Sequence, residues 1–232
     1  MRHVIVSLCF AACSSNTPSA APGDDMPACT AIPSAETGDG TYYTADGTGN
    51  CSFDASPDDL MVTAMNAIDY ANAAWCGACL AVTGPNGSVT VRVVDQCPGC
   101  RQGDLDLSPQ AFQKIANLSA GRVTITWHEV DCAVTGPIGY RFKEGSNAFW
   151  TAIQIRNARY PIAKLEARDN TNVWSEIPRE DYNYFVDASG LGDGPYALRV
   201  TDTRGHVIED DAIAFAEAQT MSGATQFQSC PD

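Results

Sequence analysis

Two aspartates, Asp95 and Asp106, bracket a loop inside the stretch VRVVDQCPGCRQGDLDLSPQAF, residues 91–112. Carboxylates in such a place can do two kinds of work. Set on opposite sides of a glycosidic bond, one acts as acid and the other as base or nucleophile; set singly, one grips a polar ligand by hydrogen bonds. The cysteines offer a second chemistry, since Cys76-x2-Cys79 and Cys97-x2-Cys100 have the spacing of a zinc ribbon. His128 and His206 have no partner spacing that suggests a metal or a triad.

The elements around the aspartates read as strand, loop and helix. Val91 and Val93 begin a β-prone run that ends at Asp95, and Cys97-Pro98-Gly99-Cys100 turns the chain. Ser108 followed by Pro109 reads as an N-cap and first helical position, so a short helix carries Phe112 into the core. Residues 79–83 and 88–94 read as strands about an Asn86-Gly87 hairpin, and Val123, Ile125 and Trp127 alternate with polar residues in a half-buried strand. Residues 41–44, TYYT, are a β-prone tetrad; DDLMVTAMN, 58–66, fits a helix or a strand. Beyond Pro137, IGYRF, WTAIQIRN, YNYFV and YALRVTD are short β runs between turn residues, the pattern of an antiparallel sandwich.

Composition narrows the field. A formal charge of −14 with only 14 Lys and Arg argues against nucleic acid, because binding phosphates needs clustered cations. No apolar run reaches the roughly 18–20 residues of a spanning helix. Residues 1–13, MRHVIVSLCFAAC, read as a signal in which Ala11-Ala12-Cys13 resembles a bacterial lipobox with Cys13 as the acylated residue. Residues 14–40 are rich in Ser, Pro, Ala and Gly and read as a flexible tether. Of the 10 cysteines, those outside the signal form an even set, which in an exported chain favours disulfides over zinc. No metal and no cofactor is expected.

The segment VVDQCPGC followed by GDLDLSPQAF resembles the double-psi β-barrel of the expansin and barwin group. Thr41–Thr44 resembles the first barrel strand of expansins, and Trp75-Cys76-Gly77-Ala78-Cys79 resembles the cysteine-bearing turn of plant expansins and barwin. KEGSNAFWTAIQIRNARYP together with REDYNYFV resembles the carbohydrate-binding second domain of bacterial expansins. The resemblance implies a mainly β fold: a six-stranded double-psi β-barrel over 41–134, then an immunoglobulin-like β-sandwich over 137–232. It also implies the disulfides Cys51–Cys76 and Cys79–Cys132, which leaves Cys97 and Cys100 to close their own loop. Cys29 in the tether and Cys230 near the other end remain to staple the termini.

In that family Asp106 is the polar centre of the cleft and Asp95 lies beside it. Glycoside hydrolases of family 45 share the barrel; Asp106 matches their general acid, but their base falls near Thr44, which cannot serve as one. Asp46, two residues on, reads as a turn residue before Gly47. The resemblance therefore implies a cleft acid, Asp106, in a non-hydrolytic role, with Thr44 and Asp95 as further sugar contacts. It places a row of sugar-binding aromatics at Phe149, Trp150 and Tyr182, with Lys143 at the edge. Phe149 stands where bacterial expansins usually have tryptophan, and Cys97 replaces a cleft tyrosine. Strict alternation would point Phe149 and Trp150 to opposite faces, so the row needs an irregular strand entry at Gly145-Ser146-Asn147. Tyr42, Tyr43, Tyr184 and Trp174 are assigned to packing.

The expected function is non-hydrolytic loosening of cell walls by a secreted or cell-surface monomer that binds cellulose, related β-glucans or peptidoglycan glycans. A membrane would be met only through a lipid anchor at Cys13. The alternative is a lytic glycosidase or peptidoglycan lytic transglycosylase using Asp106 as general acid.

Overall fold

A computed structural model describes residues 29–30 and 34–230. The signal, the Cys13 lipobox and residues 14–28 and 31–33 of the expected tether lie outside the described residues. Strands β1 (Glu36–Tyr42), β2 (Val62–Asn66), β3 (Cys79–Gly84), β4 (Gly87–Cys97), β5 (Leu105–Leu107) and β6 (Val123–Val130) close a barrel in the order β1-β5-β2-β4-β3-β6. The β1/β5 and β2/β4 pairs are parallel and the other neighbours antiparallel. Leu80, Val82, Val91, Val93, Leu105, Leu107 and Ile125 fill the interior. Helix α1 (Ala67–Tyr70) follows β2, and α2 (Pro109–Ile115) follows β5 with Phe112 and Ile115 buried. Ser108 caps α2 by accepting the Ala111 N–H at 3.0 Å.

Two readings of the sequence are corrected or decided here. The barrel begins at Glu36, five residues before the expected start, so the end of the supposed tether is a strand. ETGDG carries no apolar residue and shows no hydrophobic alternation; it is extended because β6 and β5 both pair with β1. Its glycines permit close approach: a Cβ on Gly38 would lie 2.2 Å from the Gly103 carbonyl oxygen. The ambiguous segment before Asn66 is a strand, with every residue of β2 buried between β4 and β5.

The second half holds two four-stranded sheets. One contains β7 (Gly139–Phe142), β8 (Thr151–Arg156), β11 (Phe185–Asp187) and β14 (Thr220–Ser222), in the order β11-β8-β7-β14. The other contains β9 (Ile162–Arg168), β10 (Trp174–Glu176), β12 (Tyr196–Asp202) and β13 (Val207–Ile213), in the order β10-β9-β12-β13. Tyr140, Phe142, Ile153 and Ile155 of the first sheet share a core with Leu165, Leu198, Val200 and Ile208 of the second.

The disulfides of the structure are Cys51–Cys76, Cys79–Cys132, Cys97–Cys100 and Cys29–Cys230. The last spans a sequence separation of 201, and a loop of that length removes about 5 kcal/mol of unfolded-chain entropy in the simple loop-closure model. The Cys97–Cys100 bridge, with a separation of 3, shapes its turn more than it stabilises the chain.

Barrel and sandwich meet through polar contacts. Gln154 Nε2 donates to the Cys51 carbonyl at 2.8 Å, Arg179 to the Ala73 carbonyl at 2.9 Å, and the Cys132 N–H to the Arg159 carbonyl at 3.1 Å. Glu129 of β6 pairs with Arg204 of the sandwich at 2.9 Å, their side chains 3% and 2% exposed. Burial pushes the Glu129 carboxyl above the usual range, against the opposing pull of Arg204. Removing one partner of such a pair strands a charge in the interior, so Arg204→Ala should cost about 3–5 kcal/mol in urea unfolding followed by tryptophan fluorescence. A cost below about 1 kcal/mol, the range of an exposed pair, would contradict the burial of this contact.

Candidate functional site

One cross-strand row carries the cleft. Thr41 on β1 is in register with Asp106 on β5, Asp106 with Ala64 on β2, and Ala64 with Asp95 on β4. Directly paired residues present their side chains on one face of a sheet, and neighbouring strands lie about 4.8 Å apart. Asp95 and Asp106 thus stand two strands apart, about 10 Å between backbones, with Ala64 on the strand between them beside a register irregularity of the β2/β4 pair. Leu105 and Leu107, flanking Asp106, are fully buried in the barrel, which leaves Asp106 to the outer face.

Each aspartate has a distinct role. Thr41 Oγ1 donates to Asp106 Oδ1 at 2.6 Å. Asp95 Oδ1 accepts the Asn50 and Gln96 backbone N–H groups at 2.7 and 2.8 Å, which ties the loop after β1 onto the end of β4. That loop lies so close that a Cβ on Gly49 would come within 2.4 Å of the Asp95 Cβ. Tyr43 belongs to the same cluster. Its hydroxyl is buried without a hydrogen-bond partner among the described residues. Burial first, and then the charges of Asp95, Asp106 and Asp46, push its ionisation well above that of an ordinary tyrosine.

The cleft around Asp106 encloses about 550 Å³ and is lined by Asp39, Thr41, Cys97, Arg101, Asp104, Asp106 and Arg122 among others. Its other carboxylates are engaged. Asp104, 8% exposed, accepts the Asp39 and Arg101 N–H groups at 2.8 and 3.0 Å. Asp39 pairs with Arg122 at 3.0 Å. Asp46 is not in the lining, and neither are Asp95 and Tyr43; Asp46 Oδ1 accepts the Thr48 N–H at 2.9 Å and the Thr48 hydroxyl at 2.5 Å. The Thr48 hydroxyl, with the Thr48 amide next, holds the Asp46 carboxyl below the usual range. Asp106 is bound only through the Thr41 hydroxyl among the described side-chain bonds of this cleft.

The threonine beside Asp106 is Thr41, and the expectation for Thr44 is corrected. Along an extended chain Thr41 and Tyr43 share one face, while Tyr42 and Thr44 share the other. Tyr42 packs on Phe112 with ring centroids 5.0 Å apart, and Thr44 is exposed past the end of β1. The sequence assigned Tyr43 to packing as well; the same parity, applied from Asp106 through its β1 partner, would have found both residues.

The aromatic residues of the sandwich come from two loops. Asn147 to Trp150 is a tight reversal: the Asn147 N–H donates to the Trp150 carbonyl at 2.7 Å, and the Phe149 N–H to Asn147 Oδ1 at 2.9 Å. Both aromatics precede β8, so strand alternation does not govern them. Phe149 is 82% exposed and Trp150 partly exposed. Tyr182 lies just before β11, with its ring 6.0 Å from that of Tyr184, and Lys143 Nζ is 5.9 Å from the Tyr184 ring centroid. Because β8 and β11 are antiparallel neighbours, the Phe149–Trp150 turn and Tyr182 stand toward opposite ends of that strand pair.

Barrel and sandwich surfaces join next to Tyr182. The Asp181 carbonyl accepts from Asn50 Nδ2 and from the Tyr70 hydroxyl, each at 2.9 Å. Asn50 is the residue whose backbone N–H holds Asp95. Tyr70 is fully buried, and burial pushes its hydroxyl up to about 12. Tyr182 is thereby linked through its neighbour Asp181 and through Asn50 to Asp95, and Asp95 shares a strand row with Asp106.

A closed barrel with two parallel strand pairs, followed by a two-sheet sandwich, places the molecule in the double-psi class with an added β domain. A family model described as "Lytic transglycolase" matches residues 36–127, from the start of β1 into β6. The chain is 40% identical to Expansin-YoaJ of Bacillus subtilis (strain 168) over 196 residues, 80% of this chain and 84% of that protein. It is 29% identical to Expansin-like protein 1 of Dictyostelium discoideum over 72% of this chain and 63% of that protein. A mutant Clavibacter michiganensis expansin, solved in complex with cellohexaose, matches with a TM-score of 0.79 and 34% identity over 85% of this chain and 100% of that one. The chain belongs to the expansin family.

The Tyr43 environment makes a direct prediction. A spectrophotometric titration at the phenolate band should show the same rise between about pH 9 and 11 in Tyr43→Phe as in the parent, since ordinary tyrosines ionise near 10. Loss of one tyrosine from that rise would contradict the buried hydroxyl amid three carboxylates.

Proposed function

We propose that this expansin binds cellulose or related β-glucans along the strip from Phe149 to Asp106 and loosens walls by displacing non-covalent contacts between chains, without hydrolysis. The observation that carries this reading is the isolation of Asp106. Hydrolysis by a carboxylate pair needs a second free carboxylate across the bond. Asp39, Asp104 and Asp46 are instead bound to Arg122, to backbone amides and to Thr48. Asp106, steadied by Thr41, is then a grip on a sugar hydroxyl or bridging oxygen, with Tyr43 and Asp95 beside it.

The exposed rings supply the hold. Flat aromatic faces cover the apolar C–H faces of sugars without demanding one hydroxyl pattern, and exposed Phe149 with half-buried Trp150 and Tyr182 would supply them, with Lys143 near Tyr184 at the margin. A chain held there and gripped at Asp106 is peeled from its neighbours. The cellohexaose in the Clavibacter relative supports a β-glucan as the class of ligand. The charge of −14 disfavours anionic pectin at low salt. The leader supports export, with Cys13 as lipid anchor and the folded part acting as a monomer outside the cell; peptidoglycan glycans are further candidate ligands.

A second reading, lytic cleavage of peptidoglycan, is favoured by the description of the family model that matches the barrel. One acid suffices there if the substrate supplies its own nucleophile. A pull-down on cellulose, chitin and peptidoglycan with released sugars measured in parallel separates the two. Trp150→Ala should lower retention on cellulose about tenfold, for loss of an aromatic face worth on the order of 1.5 kcal/mol. Asp106→Asn should keep retention and lose most wall extension. Release of reducing ends or anhydromuropeptides that disappears in Asp106→Asn would establish the lytic reading instead.

A further inference from the structure

Away from the cleft, where Cys29 and Cys230 are joined, a buried histidine faces a disulfide. His206 is 5% exposed, and its Nε2 lies 3.4 Å from Cys29 Sγ and 3.8 Å from Cys230 Sγ. Its other nitrogen, Nδ1, is 2.7 Å from Oδ2 of Asp202, itself 1% exposed. Asp202 Oδ1 accepts the backbone N–H groups of Arg204 and His206 at 2.8 and 2.9 Å, so the carboxylate is fixed in place. Tyr160 stacks on the imidazole with centroids 5.8 Å apart. A carboxylate on Nδ1 sets the tautomer that carries its proton there, and the Nε2 lone pair is thereby turned toward the two sulfurs. Among the described residues Nε2 has no oxygen or nitrogen partner; its neighbours are the sulfurs.

From these contacts the geometry points to a metal site in the dithiol form of the staple: Cys29, Cys230 and His206 bind one thiophilic d10 cation, Zn2+ or Cu+, with Asp202 orienting the imidazole. Metal–sulfur bonds near 2.3 Å and metal–nitrogen bonds near 2.05 Å, opened at a tetrahedral angle, put S and N about 3.6 Å apart. The observed 3.4 and 3.8 Å bracket that separation. The three ligand atoms already lie within 4.8 Å of one another. Only the sulfurs must part, from bonding distance to about 3.8 Å across a tetrahedral ion, and the Cα–Cα distance of 5.9 Å allows this by side-chain rotation. The carboxylate behind the histidine is the arrangement that raises ligand basicity in metal centres. Both cysteines are partly exposed, which admits reductant and ion.

The chemistry balances with a small thiol as reductant. Two equivalents of thiol reduce the Cys29–Cys230 bond and leave as their own disulfide, and the two protein thiols then lose their protons to solvent as their sulfurs bind the ion. Disulfide and metal close the same loop, spanning a sequence separation of 201. The N-terminal segment therefore stays fastened beside Arg204 in an oxidising medium through the disulfide, and in a thiol-rich one through the ion.

The test uses the full chain, reduced with a phosphine and titrated with Co2+ as a spectroscopic probe, then with Zn2+ and Cu+ as competitors. One equivalent of Co2+ should bind with a thiolate-to-cobalt charge-transfer band that either competitor removes. The oxidised chain should show no such band at these residues. Cys29→Ser, a change in the segment before the barrel, should abolish the site, and His206→Gln should weaken it at least tenfold with the far-UV circular dichroism unchanged. If His206→Gln does not fold, Cys29→Ser and Cys230→Ser decide alone. Cobalt bound equally in Cys29→Ser and the parent, or indifferent to a folded His206→Gln, would overturn the proposal and place any ion at the other cysteines.

Discussion

The Asp181 carbonyl, clamped by the Tyr70 hydroxyl and the Asn50 side chain, is the contact on which the functional surface depends. Each half is built around its own core. Nothing in those cores sets where the aromatic loops stand relative to the cleft. Tyr70 is buried beneath the barrel surface against the Cys51–Cys76 bridge, so its hydroxyl is a fixed point. Asn50 reads the sandwich with its side chain and Asp95 with its backbone. Through these two residues the position of Tyr182 is tied to that of the carboxylates. Gln154, Asn183 and Arg179 repeat the device, each donating a side-chain hydrogen bond to a barrel carbonyl. A polar interface of this kind gains little from burying area. It gains orientation, because unsatisfied donors and carbonyls in the interior disfavour other placements.

Within the cleft, strand pairing does the sorting. The row Thr41, Asp106, Ala64 and Asp95 fixes which side chains share the outer face. Ala64 keeps the middle of the row low. Hydrogen bonds then divide the carboxylates: Asp95 and Asp104 organise backbone, Asp39 neutralises Arg122, Asp46 closes its own turn, and Asp106 carries only the Thr41 hydroxyl among the described side-chain bonds. A carboxylate pair of the glycosidase type would need a free acid opposite Asp106, and Asp39, Asp104 and Asp46 are each engaged elsewhere.

Much of this was legible in the sequence where local chemistry decides. The Ser108-Pro109 cap and the alternating strand around Trp127 each occur where their own signal put them, and the expected hairpin forms with Pro85-Asn86 as its turn, one residue before the Asn-Gly pair. What escaped was set by partners distant in the chain. ETGDG is a strand only because β5 and β6 flank it. Thr41 rather than Thr44 meets Asp106 because of register, which a tetrad of β-prone residues does not reveal. Phe149 and Trp150 can both be presented because a four-residue reversal interrupts the alternation, as Gly145-Ser146-Asn147 hinted. His206 showed no ligand spacing because its neighbours Cys29 and Cys230 are distant from it in the sequence.

The account rests on the cleft and the aromatic loops working as one surface. The measurement that bears on this most directly compares wall extension with cellulose retention in Asn50→Ala/Tyr70→Phe, which removes the side-chain clamp on Asp181 but keeps the backbone bond to Asp95. Retention equal to the parent with extension reduced several-fold is the result predicted. Extension equal to the parent, with the clamp gone, would show that the two halves need no fixed register and would contradict the central claim.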